Sequence, residues 1–428
     1  MVSSHPLRSN EGLTSAGMML GGRGFLVLPG DPLTGPWGIV RAITNGADLL
    51  QNPRGARVID FFGLSVDEAR ERAPEAFQRV LDRVKPERDA NRRATRRERW
   101  WIFSETMPAT RRLTNGLRRY IATPETSKHR LFTFVDGAVL PEHPVLAIGL
   151  EDAFFLGALS SRVHLVWALS TGGRLGVGND PRYNKTRCFE PFPFPDCPDG
   201  LRSRIRELAE SLDNHRKTRQ AQHADLTITA MYNVLEKLRS GEPLTAKEKV
   251  VHDQGLVSVL KKLHDDLDGA VFDAYGWPQD LADEQILERL VALNKERAEE
   301  EKRGLVRWLR PEFQNPSSKP APMKQVEMPA EPEANDEEEQ VTPKTKATIL
   351  SWPKKLAEQI AIVRDVVTKS SAEWSAEDVA ANFKGAKTDD VSEVLDSLAA
   401  LGLLVTYELV EGQRWRASAF VSVRPPPS

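Results

Sequence analysis

The sequence predicts an α+β fold in which a mixed first part is followed by a helical region and a small C-terminal winged-helix-like domain. Up to about residue 198, short apolar runs of strand character alternate with amphipathic segments. From residue 201 onward, apolar residues instead recur every three and four positions, as they do in packed helices. An acidic, proline-rich stretch then separates the last part of the chain from this body. Together these observations predict the fold class and the order of the parts.

The first part begins with a connector, residues 1–39, whose glycines, prolines and short apolar runs predict turns and short strands. Residues 40–198 form the predicted mixed domain. Within it, "SVDEARERAPEAFQRVLDRV" predicts a helix, because Ser65 can cap its start and apolar residues follow at helical intervals. "HRLFTFVD" and "PVLAIGL" have strand character, and "EDAFFLGALSSRVHLVWALST" has the length and periodicity of a helix.

The rest of the chain predicts three further parts. Residues 199–313 form a helical region that packs on the body. Residues 314–345 hold 7 acidic and 3 basic residues and six prolines, which predicts a disordered linker because little apolar surface offsets the entropy of ordering. Residues 346–428 contain three short amphipathic segments, "KKLAEQIAIVRDVV", "SAEDVAANF" and "DDVSEVLDSLAALGLL", and then two strand-like runs. Three helices and a hairpin predict a winged-helix-like unit, which contains few basic residues, so contact with DNA and contact with protein both stay open.

Composition narrows the class of protein. The chain has 428 residues, 40% of them hydrophobic, which suits several packed domains. It shows neither an apolar run of about 18 residues nor a signal-peptide pattern, so we expect a cytoplasmic protein with no membrane partner. Cys188 and Cys197 have no CxxC or paired-histidine spacing beside them, so we expect reduced structural thiols and no metal site.

Positive charge is concentrated in one segment, although the net charge of the chain is −2. Residues 81–130 hold 14 Lys or Arg against 6 Asp or Glu, a local excess of +8. Within them, "ANRRATRRERWW" predicts a helix whose arginines share one face and can reach successive phosphates. These arginines are Arg92, Arg93, Arg96, Arg97 and Arg99. A solvated face paired with Glu98 and Asp89 is the alternative. Trp100 and Trp101 are predicted core anchors, and base-stacking platforms are the alternative for them.

A glycine-rich segment, "GGRLGVGNDPRYNKTRCFEPFPFP" (residues 172–195), could be mistaken for a catalytic site. It is not a phosphate loop, because no helical run and no GK[ST] follow the glycines. Asp180 to Tyr183 resemble the DPPY tetrapeptide of adenine methyltransferases, but Arg182 puts a long cation where a compact proline belongs. No strand, glycine turn and helix upstream would hold S-adenosylmethionine. We therefore assign no catalytic, cofactor-binding or metal-binding residue in this chain.

The same segment carries hydrogen-bond donors without an acidic residue between Asp180 and Glu190. Such donors suit a phosphate backbone or a base edge, and an exposed loop with ordinary surface charges is the alternative. The predicted contacts are Arg174, Asn179, Arg182, Lys185 and Arg187. In "TSKHRLF" we expect a strand to open, so that Lys128 and Arg130 face DNA on one side while His129 packs or hydrogen-bonds on the other.

Six segments together carry a family resemblance. They are "VIDFFGLSVDEA", "RVKPERDANRRATRRERWWIF", "RYIATPETSKHRLFTFVDGAVLP", "FFLGALSSRVHLVWAL", the glycine-rich segment, and "MYNVLEKLRSGEPLTAKEKVVHDQGLVSVLKKLHDDLDGAVFDAYGW". In order and spacing, over about residues 11–314, they resemble the C-terminal half of the MmeI-like (type IIL) DNA methyltransferases of restriction-modification and phage-defence systems. The resemblance implies a target recognition domain in residues 40–198 and a helical C-terminal region after it.

The resemblance also implies partners. Proteins of this family carry an S-adenosylmethionine loop, an NPPY-type tetrapeptide and often a PD-ExK nuclease upstream, and this chain contains none of them. We therefore expect double-stranded DNA as ligand and a separately encoded methyltransferase catalytic subunit, or another defence protein, as partner, with S-adenosylmethionine bound by that subunit. Two alternatives remain: a divergent complete adenine methyltransferase using Asp180 to Tyr183, and a non-catalytic interaction scaffold of a defence system.

Overall fold

The α+β class is confirmed by the structure, a computed structural model in which the chain divides into two compact units, Met1–Met323 and Lys324–Ser428. In the first unit the structure describes residues 4–33, 35, 38–175 and 180–316. In the second it describes residues 350–353, 359, 362–363, 366–367, 374–380, 383–384, 386–400, 404–409 and 412–417. The predicted linker lies outside the described residues beyond residue 316, as does most of the first predicted tail helix.

Two four-stranded sheets and one short hairpin form the β part of the first unit. The described strands are β1 (Thr14–Ala16), β2 (Leu26–Val27), β3 (Val40–Thr44), β4 (Arg57–Ile59), β5 (Arg119–Pro124), β6 (Thr133–Asp136), β7 (Leu140–Pro141), β8 (Val145–Ile148), β9 (Gly173–Leu175) and β10 (Asp180–Arg182). One sheet has the order β1-β8-β5-β6 and is antiparallel throughout. The other has the order β2-β4-β3-β7, in which β3 and β7 are parallel.

Helices pack on the sheets, and after β10 the described elements of the first unit are helical. They are α1 (Gly46–Leu50), α2 (Val66–Arg72), α3 (Pro74–Arg83), α4 (Lys85–Asp89), α5 (Ala94–Glu98), α6 (Pro108–Thr114), α7 (Ala153–Ser160), α8 (Arg162–Thr171), α9 (Asp199–Gln222), α10 (Ile228–Ser240), α11 (Ala246–Gly255), α12 (Val257–Tyr275), α13 (Asp283–Lys302) and α14 (Pro311–Gln314). The predicted change to a helical region near residue 199 is thus present in the structure.

Three predicted helices are interrupted, each for a local reason. The helix that Ser65 caps ends at Arg72, and α3 restarts at Pro74, which has no N–H to donate to the preceding turn. The apolar segment after residue 152 is two helices, because the Ser161 hydroxyl caps a second start. The long segment after residue 245 breaks at Leu256, which adopts a left-handed conformation with φ 45°.

The first unit has two main hydrophobic cores. One lies between the antiparallel sheet and α7 to α13 and contains Trp167 and Phe154, both 0% exposed. The other lies between the second sheet and α2 and α3 and contains Phe25 and Phe77. In the described residues, no single helix is long and apolar enough to cross a membrane, and α7 with α8 passes that test only as a pair bent by 62° whose side chains are mostly buried.

The second unit has its own small core. Its described elements are Leu350–Ser351, Ala376–Ala380, Phe383–Lys384, Thr388–Ala400, Leu404–Leu409 and Gly412–Ala417. The last two pair as an antiparallel hairpin, which confirms the two strand-like runs expected in the tail. Trp415 is 2% exposed and donates from Nε1 to Asp396 Oδ1 at 3.1 Å, which ties the hairpin to the preceding helix. The winged-helix assignment and the predicted domain boundaries remain predictions.

Candidate nucleic-acid interface

The glycine-rich segment forms a hairpin in which β9 pairs antiparallel with β10. Residues 176–179, which include the predicted contact Asn179, lie outside the described residues. A Cβ at Gly172 would stand 2.5 Å from the carbonyl oxygen of Arg182 and 2.6 Å from that of Ala168. This glycine therefore allows the chain to leave α8 and enter the hairpin, and it is required by packing, not by a bound phosphate.

Replacing Gly172 with alanine is expected to lower the free energy of unfolding by about 1 to 3 kcal/mol, because the added methyl group overlaps two main-chain carbonyls. Gly173→Ala is the matched control, since the nearest atom to a Cβ there, Asn184 Oδ1, is 3.9 Å away. Urea denaturation of both variants checks this prediction. Equal midpoints for the two variants would show that the close approach at Gly172 is not needed.

Tyr183 fixes the base of the hairpin in the core. It is 1% exposed, its ring centroid lies 5.4 Å from that of Phe132, and its hydroxyl is 3.0 Å from His164 Nε2. Burial raises the pKa of Tyr183 and lowers the pKa of His164 to about 3, so both groups are neutral. A ring enclosed in this way has no open face on which a flipped base could stack. The alternative in which Asp180 to Tyr183 form a methyltransferase tetrapeptide lacks its aromatic platform in this conformation.

Arg130 holds the hairpin against β5. Its guanidinium donates to Thr123 Oγ1 at 3.0 Å, to the carbonyl of Pro181 at 2.9 Å, and to the carbonyls of Pro124 and Glu125. Burial lowers the pKa of Arg130 to about 10. The prediction that a strand opens at Lys128 is wrong, because β6 begins at Thr133, and the alternation that would have turned Arg130 outward does not apply. Its geometry makes Arg130 a positioning residue.

Lys128 and His129 contact helix α10. Lys128 is exposed, donates to Asn233 Oδ1 at 2.6 Å and lies 3.4 Å from the Glu236 carboxylate. His129 packs as expected, with Nε2 2.8 Å from Asn233 Oδ1 and Nδ1 3.3 Å from Glu236. Asn233 and Glu236 are about 100 residues away in sequence, so "TSKHRLF" alone gives no sign of them. Part of the charge of Lys128 is therefore compensated.

The cations of the hairpin differ in how much of their charge is compensated. Arg182 lies 3.3 Å from Glu125 Oε2, and Glu125 also lies 3.8 Å from His143 Nε2. The hairpin segment lacks nearby acidic residues in the sequence, but in the fold Glu125 lies beside Arg182 and compensates its charge. Three predicted contacts are exposed: Arg174 on β9, and Lys185 and Arg187 on a five-residue π-helical turn, Lys185–Phe189.

The π-helical turn is oriented by its apolar residues. Cys188 and Phe189 are both 0% exposed and belong to the first core. Burial raises the pKa of the Cys188 thiol, so it stays protonated. Both cysteines are free thiols, as expected. With this side of the turn in the core, Lys185 and Arg187 are left on the opposite, solvent side.

The basic arm, residues 91–101, is folded differently from the prediction. Helix α5 is only five residues long, with Arg93 at its N-cap and Arg99 at its C-cap, so the prediction of a single arginine face is wrong. The helix is short because it buries no residue, and the chain must then turn to bury Trp100. Arg97 donates to the carbonyls of Asn91 and Arg92 at 2.7 and 3.2 Å, which closes the arm on itself.

The arm nevertheless presents uncompensated charge. Arg96 pairs with Glu105 at 3.2 Å. The alternative interpretation required Asp89 to pair with the arginines of the arm. Asp89 instead pairs with Lys85 at 2.6 Å. Three exposed arginines have side chains without a hydrogen-bond or ion-pair partner in the part of the chain that the structure describes. They are Arg92, Arg93 and Arg99.

Trp100 and Trp101 anchor the arm, which confirms their predicted role. Trp100 is 9% exposed and its ring centroid lies 5.4 Å from that of Phe77 in the second core. Trp101 donates from Nε1 to the carbonyl of Leu64 at 2.9 Å. The arginines of the arm therefore lie next to two tryptophans held by the core, which limits how far the backbone of the arm can move when a ligand binds.

The glycines near residue 22 do not form the glycine turn of an S-adenosylmethionine site. Such a site needs a glycine turn that leads from a strand into a helix. Here the glycines near residue 22 lead into a 3-10 turn, Arg23–Phe25, and then into β2. A Cβ at Gly24 would lie 2.6 Å from Arg83 Cβ, so this turn is packed against α3. Within the described ranges, no group of three or more His, Cys, Asp or Glu is arranged to hold a metal ion.

Comparison with known proteins identifies the region that contains these residues. Residues 62–196 match the family model described as the MmeI target recognition domain. DNA methyltransferase A of Bacillus subtilis (strain 168) is 32% identical over 149 residues, which is 35% of this chain and 14% of that protein. The chain thus spans about one seventh of the length of this relative.

A solved structure extends the likeness in fold. The structure of the type IIL restriction-modification enzyme MmeI in complex with DNA matches with a TM-score of 0.51 and 18% identity, over 70% of this chain and 36% of that chain. At this identity the match shows a shared fold. The basic arm, Lys128 and the hairpin all lie inside the residues that match the family model. The resemblance expected from the sequence is confirmed: residues 62–196 of this chain match the MmeI target recognition domain.

Proposed function

We propose that this chain recognises a short sequence in double-stranded DNA and acts as the specificity part of an S-adenosylmethionine-dependent adenine-N6 methyltransferase of a restriction-modification or phage-defence system. The observation that carries the proposal is the coincidence of the family match over residues 62–196 with exposed cations on the arm and the hairpin. The methyl transfer would come from a catalytic domain outside these 428 residues, which we propose to be separately encoded and to act in the cytoplasm.

Two groups of side chains would make different kinds of DNA contact, one to phosphates and one to bases. Arg92, Arg93 and Arg99 on the arm suit phosphate contacts, because exposed, uncompensated cations bind the backbone regardless of sequence. The hairpin suits base readout, because a two-stranded ribbon fits the major groove and arginine can bond two acceptors of guanine, which is worth about 1 to 3 kcal/mol of discrimination. We place Arg174 and the predicted contact Asn179 in this second group.

The remaining predicted contacts have smaller roles in this proposal. Lys185 and Arg187 would contact phosphates beside the hairpin. Arg182 and Lys128 would first have to break their ion pairs with Glu125 and Glu236. We therefore expect each of them to contribute less to DNA affinity. Arg96, Arg97 and Arg130 would act indirectly, since their guanidinium groups already hold the arm or the hairpin in place.

The salt dependence of DNA binding by the full chain tests this proposal. Five exposed cations that each contact one phosphate give an affinity loss on the order of 500-fold between about 50 and 200 mM salt. They are Arg92, Arg93, Arg99, Lys185 and Arg187. Fluorescence anisotropy with a labelled duplex of about 30 base pairs measures this loss. An interaction scaffold would leave the anisotropy unchanged even at the lower salt concentration.

The same protein preparation tests the alternative that this chain is a complete methyltransferase. The full chain is mixed with duplex DNA and S-adenosylmethionine labelled on the methyl group, and label transferred to adenine is counted. We expect DNA binding without transfer, because Tyr183 is enclosed and the glycines near residue 22 lead into a strand instead of a helix. Transfer of label by the chain alone would mean that it is a complete methyltransferase, and this proposal would be abandoned.

A further inference from the structure

A positively charged cleft lies beside helix α6, apart from the arm and the hairpin. Its volume is about 810 Å³, and its walls come from α6, from β3 and from the turn before β7. Among the described residues that line it are three arginines and no carboxylate. The arginines are Arg41, Arg111 and Arg112. None of them belongs to the DNA contacts predicted from the sequence, so the cleft needs an explanation of its own.

Arg111 is the structural member of the three. It donates from Nη1 and Nη2 to the two carboxylate oxygens of Asp60 at 2.7 and 2.9 Å, and from Nε to the carbonyl of Thr106 at 2.9 Å. Its guanidinium also lies 4.2 Å from the centroid of the Phe62 ring. This pairing neutralises Asp60, whose side chain is only 5% exposed. Arg111 is thus held by the protein and holds one wall of the cleft.

Arg41 is the second arginine of the cleft. It lies near Asp60, whose charge Arg111 already neutralises. Its Nη2 donates to the carbonyl of Ala138 at 3.1 Å, while its Nη1 is 3.8 Å from Asp60, too far for a hydrogen bond. Burial lowers the pKa of Arg41, Asp60 opposes that change, and the charge of Arg111 adds to the lowering. The guanidinium stays charged at neutral pH, because the pKa of arginine is so high. Its charge is therefore incompletely compensated.

Arg112 adds a further charge at the rim. Its side chain is exposed and has no ion-pair or hydrogen-bond partner within the described ranges. Arg41, at 35% side-chain exposure, remains open to the cleft. The floor beside them is open as well, since a Cβ at Gly116 would meet no atom within 4 Å. One unpaired and one incompletely compensated guanidinium group at an open cleft favour a ligand with anionic oxygens, and phosphate is the group that arginine binds best in this way.

The position of the cleft favours the DNA backbone as the source of that phosphate. Arg96 of the basic arm is held by Glu105, and Arg111 of the cleft is held by the carbonyl of Thr106, the next residue. Arm and cleft thus contact adjacent residues of one segment, which makes a single DNA backbone a candidate ligand for both. Resting on the proposed function, we infer that the cleft of Arg41 and Arg112 binds a phosphodiester of the same DNA, with Phe62 and Arg111 as its fixed wall.

Salt titrations of the full-chain variants Arg41→Gln and Arg112→Gln test this inference. Each variant is expected to reduce the slope of log affinity against log salt by about 1, equally on two duplexes of unrelated sequence, because a phosphate contact carries no sequence information. Arg118→Gln is the matched control. Arg118 is 86% exposed, loosely paired with Glu151 at 3.8 Å and absent from the cleft lining, so its slope should stay at the wild-type value. Urea midpoints confirm that the variants are folded.

Two outcomes would overturn the inference. If the wild type binds duplex DNA and both variants keep its slope, the cleft does not contact the backbone, although the proposed function stands. A titration with inorganic phosphate, followed by broadening of the ³¹P resonance, covers the other source of the same chemistry. Broadening by the wild type but not by a double variant that combines Arg41→Gln and Arg112→Gln, with DNA slopes unchanged, would assign the cleft to free phosphate. If no duplex binds at all, the proposed function fails along with the DNA assignment, and the phosphate titration alone decides whether the cleft is an anion site.

Discussion

Replacing Asp213 with alanine is expected to lower the free energy of unfolding by about 3 to 5 kcal/mol, because it leaves a buried guanidinium without its counter-ion. Arg216, at 2% exposure, donates to Asp213 at 3.2 Å, to the carbonyl of Phe132 at 2.9 Å and to the hydroxyl of Tyr232 at 3.1 Å. Asp213 also accepts from Thr133 Oγ1 at 2.7 Å and from Lys217. This network joins α9 to β6 of the recognition domain, so its loss should also weaken DNA binding.

A double-mutant cycle separates the ion pair from the loss of side-chain volume. Asp213→Ala combined with Arg216→Met removes both charges and should recover a large part of the loss, since no charge then stays buried. Lys217→Met is the surface control, because the Lys217 side chain is 49% exposed and its pairing should be worth about 1 kcal/mol or less. Additive losses in the double variant would contradict the buried pair as the cause.

The penalty of Asp213→Ala is expected to depend on pH in the acid range. Burial alone would raise the pKa of Asp213, but Arg216 and Lys217 outweigh it and the net pKa lies below the ordinary value of 3.8. A carboxyl group with a depressed pKa stabilises the fold above its unfolded pKa and loses that contribution as pH falls through its folded value. The difference in unfolding free energy between wild type and variant should therefore be constant near neutrality and narrow below about pH 3.8. A difference that does not change with pH would contradict this assignment.

Removing the three uncompensated arginines of the arm should produce the largest decrease in DNA affinity. The triple variant Arg92→Ala, Arg93→Ala and Arg99→Ala is expected to reduce the salt slope by about 2.7, since each phosphate that is no longer neutralised accounts for roughly 0.9. Folding should be unaffected, because all three side chains are exposed. Fluorescence anisotropy across a salt series gives the slope, and the decrease should be the same on cognate and unrelated duplexes, since phosphate contacts do not read sequence.

A control with the same change in net charge is available in the helical region. Lys247, Lys249 and Lys295 are exposed and lie outside the residues that match the recognition domain. Replacing all three with alanine should leave the slope close to the wild-type value. If both triple variants lose affinity equally, the effect belongs to the total charge of the protein, and the arm has no special place in binding.

Local signals in the sequence predicted several features correctly. Trp100 and Trp101 were predictable as core anchors because large aromatic rings bury much apolar area; Trp100 lies in the second core and Trp101 packs against it. The cap at Ser65 and the tail hairpin were also predictable, since capping and turn preferences act over a few residues. The order of the mixed domain and the helical region followed from the change in apolar period.

Long-range contacts were not predictable from these signals. Glu125 meets Arg182 from 57 residues away, and Arg130 bonds the carbonyl of Pro181 across 51 residues. Nothing in "TSKHRLF" or in the hairpin segment shows that these residues meet. The helix proposed for the arm fails for a related reason, because the arginine spacing is helical while no buried face supports a longer helix. A charge pattern locates a basic surface, but the fold decides which of its charges remain free.

Selection from a duplex library with randomised central positions tests the central claim most directly. The purified full chain is mixed with the library at moderate salt, and bound duplexes are amplified and sequenced over several rounds. A sequence-specific recognition protein should enrich one short motif and bind it about 10³-fold or more tightly than a scrambled duplex. Bound DNA with no enriched motif, or no bound DNA even at about 50 mM salt, would contradict the account.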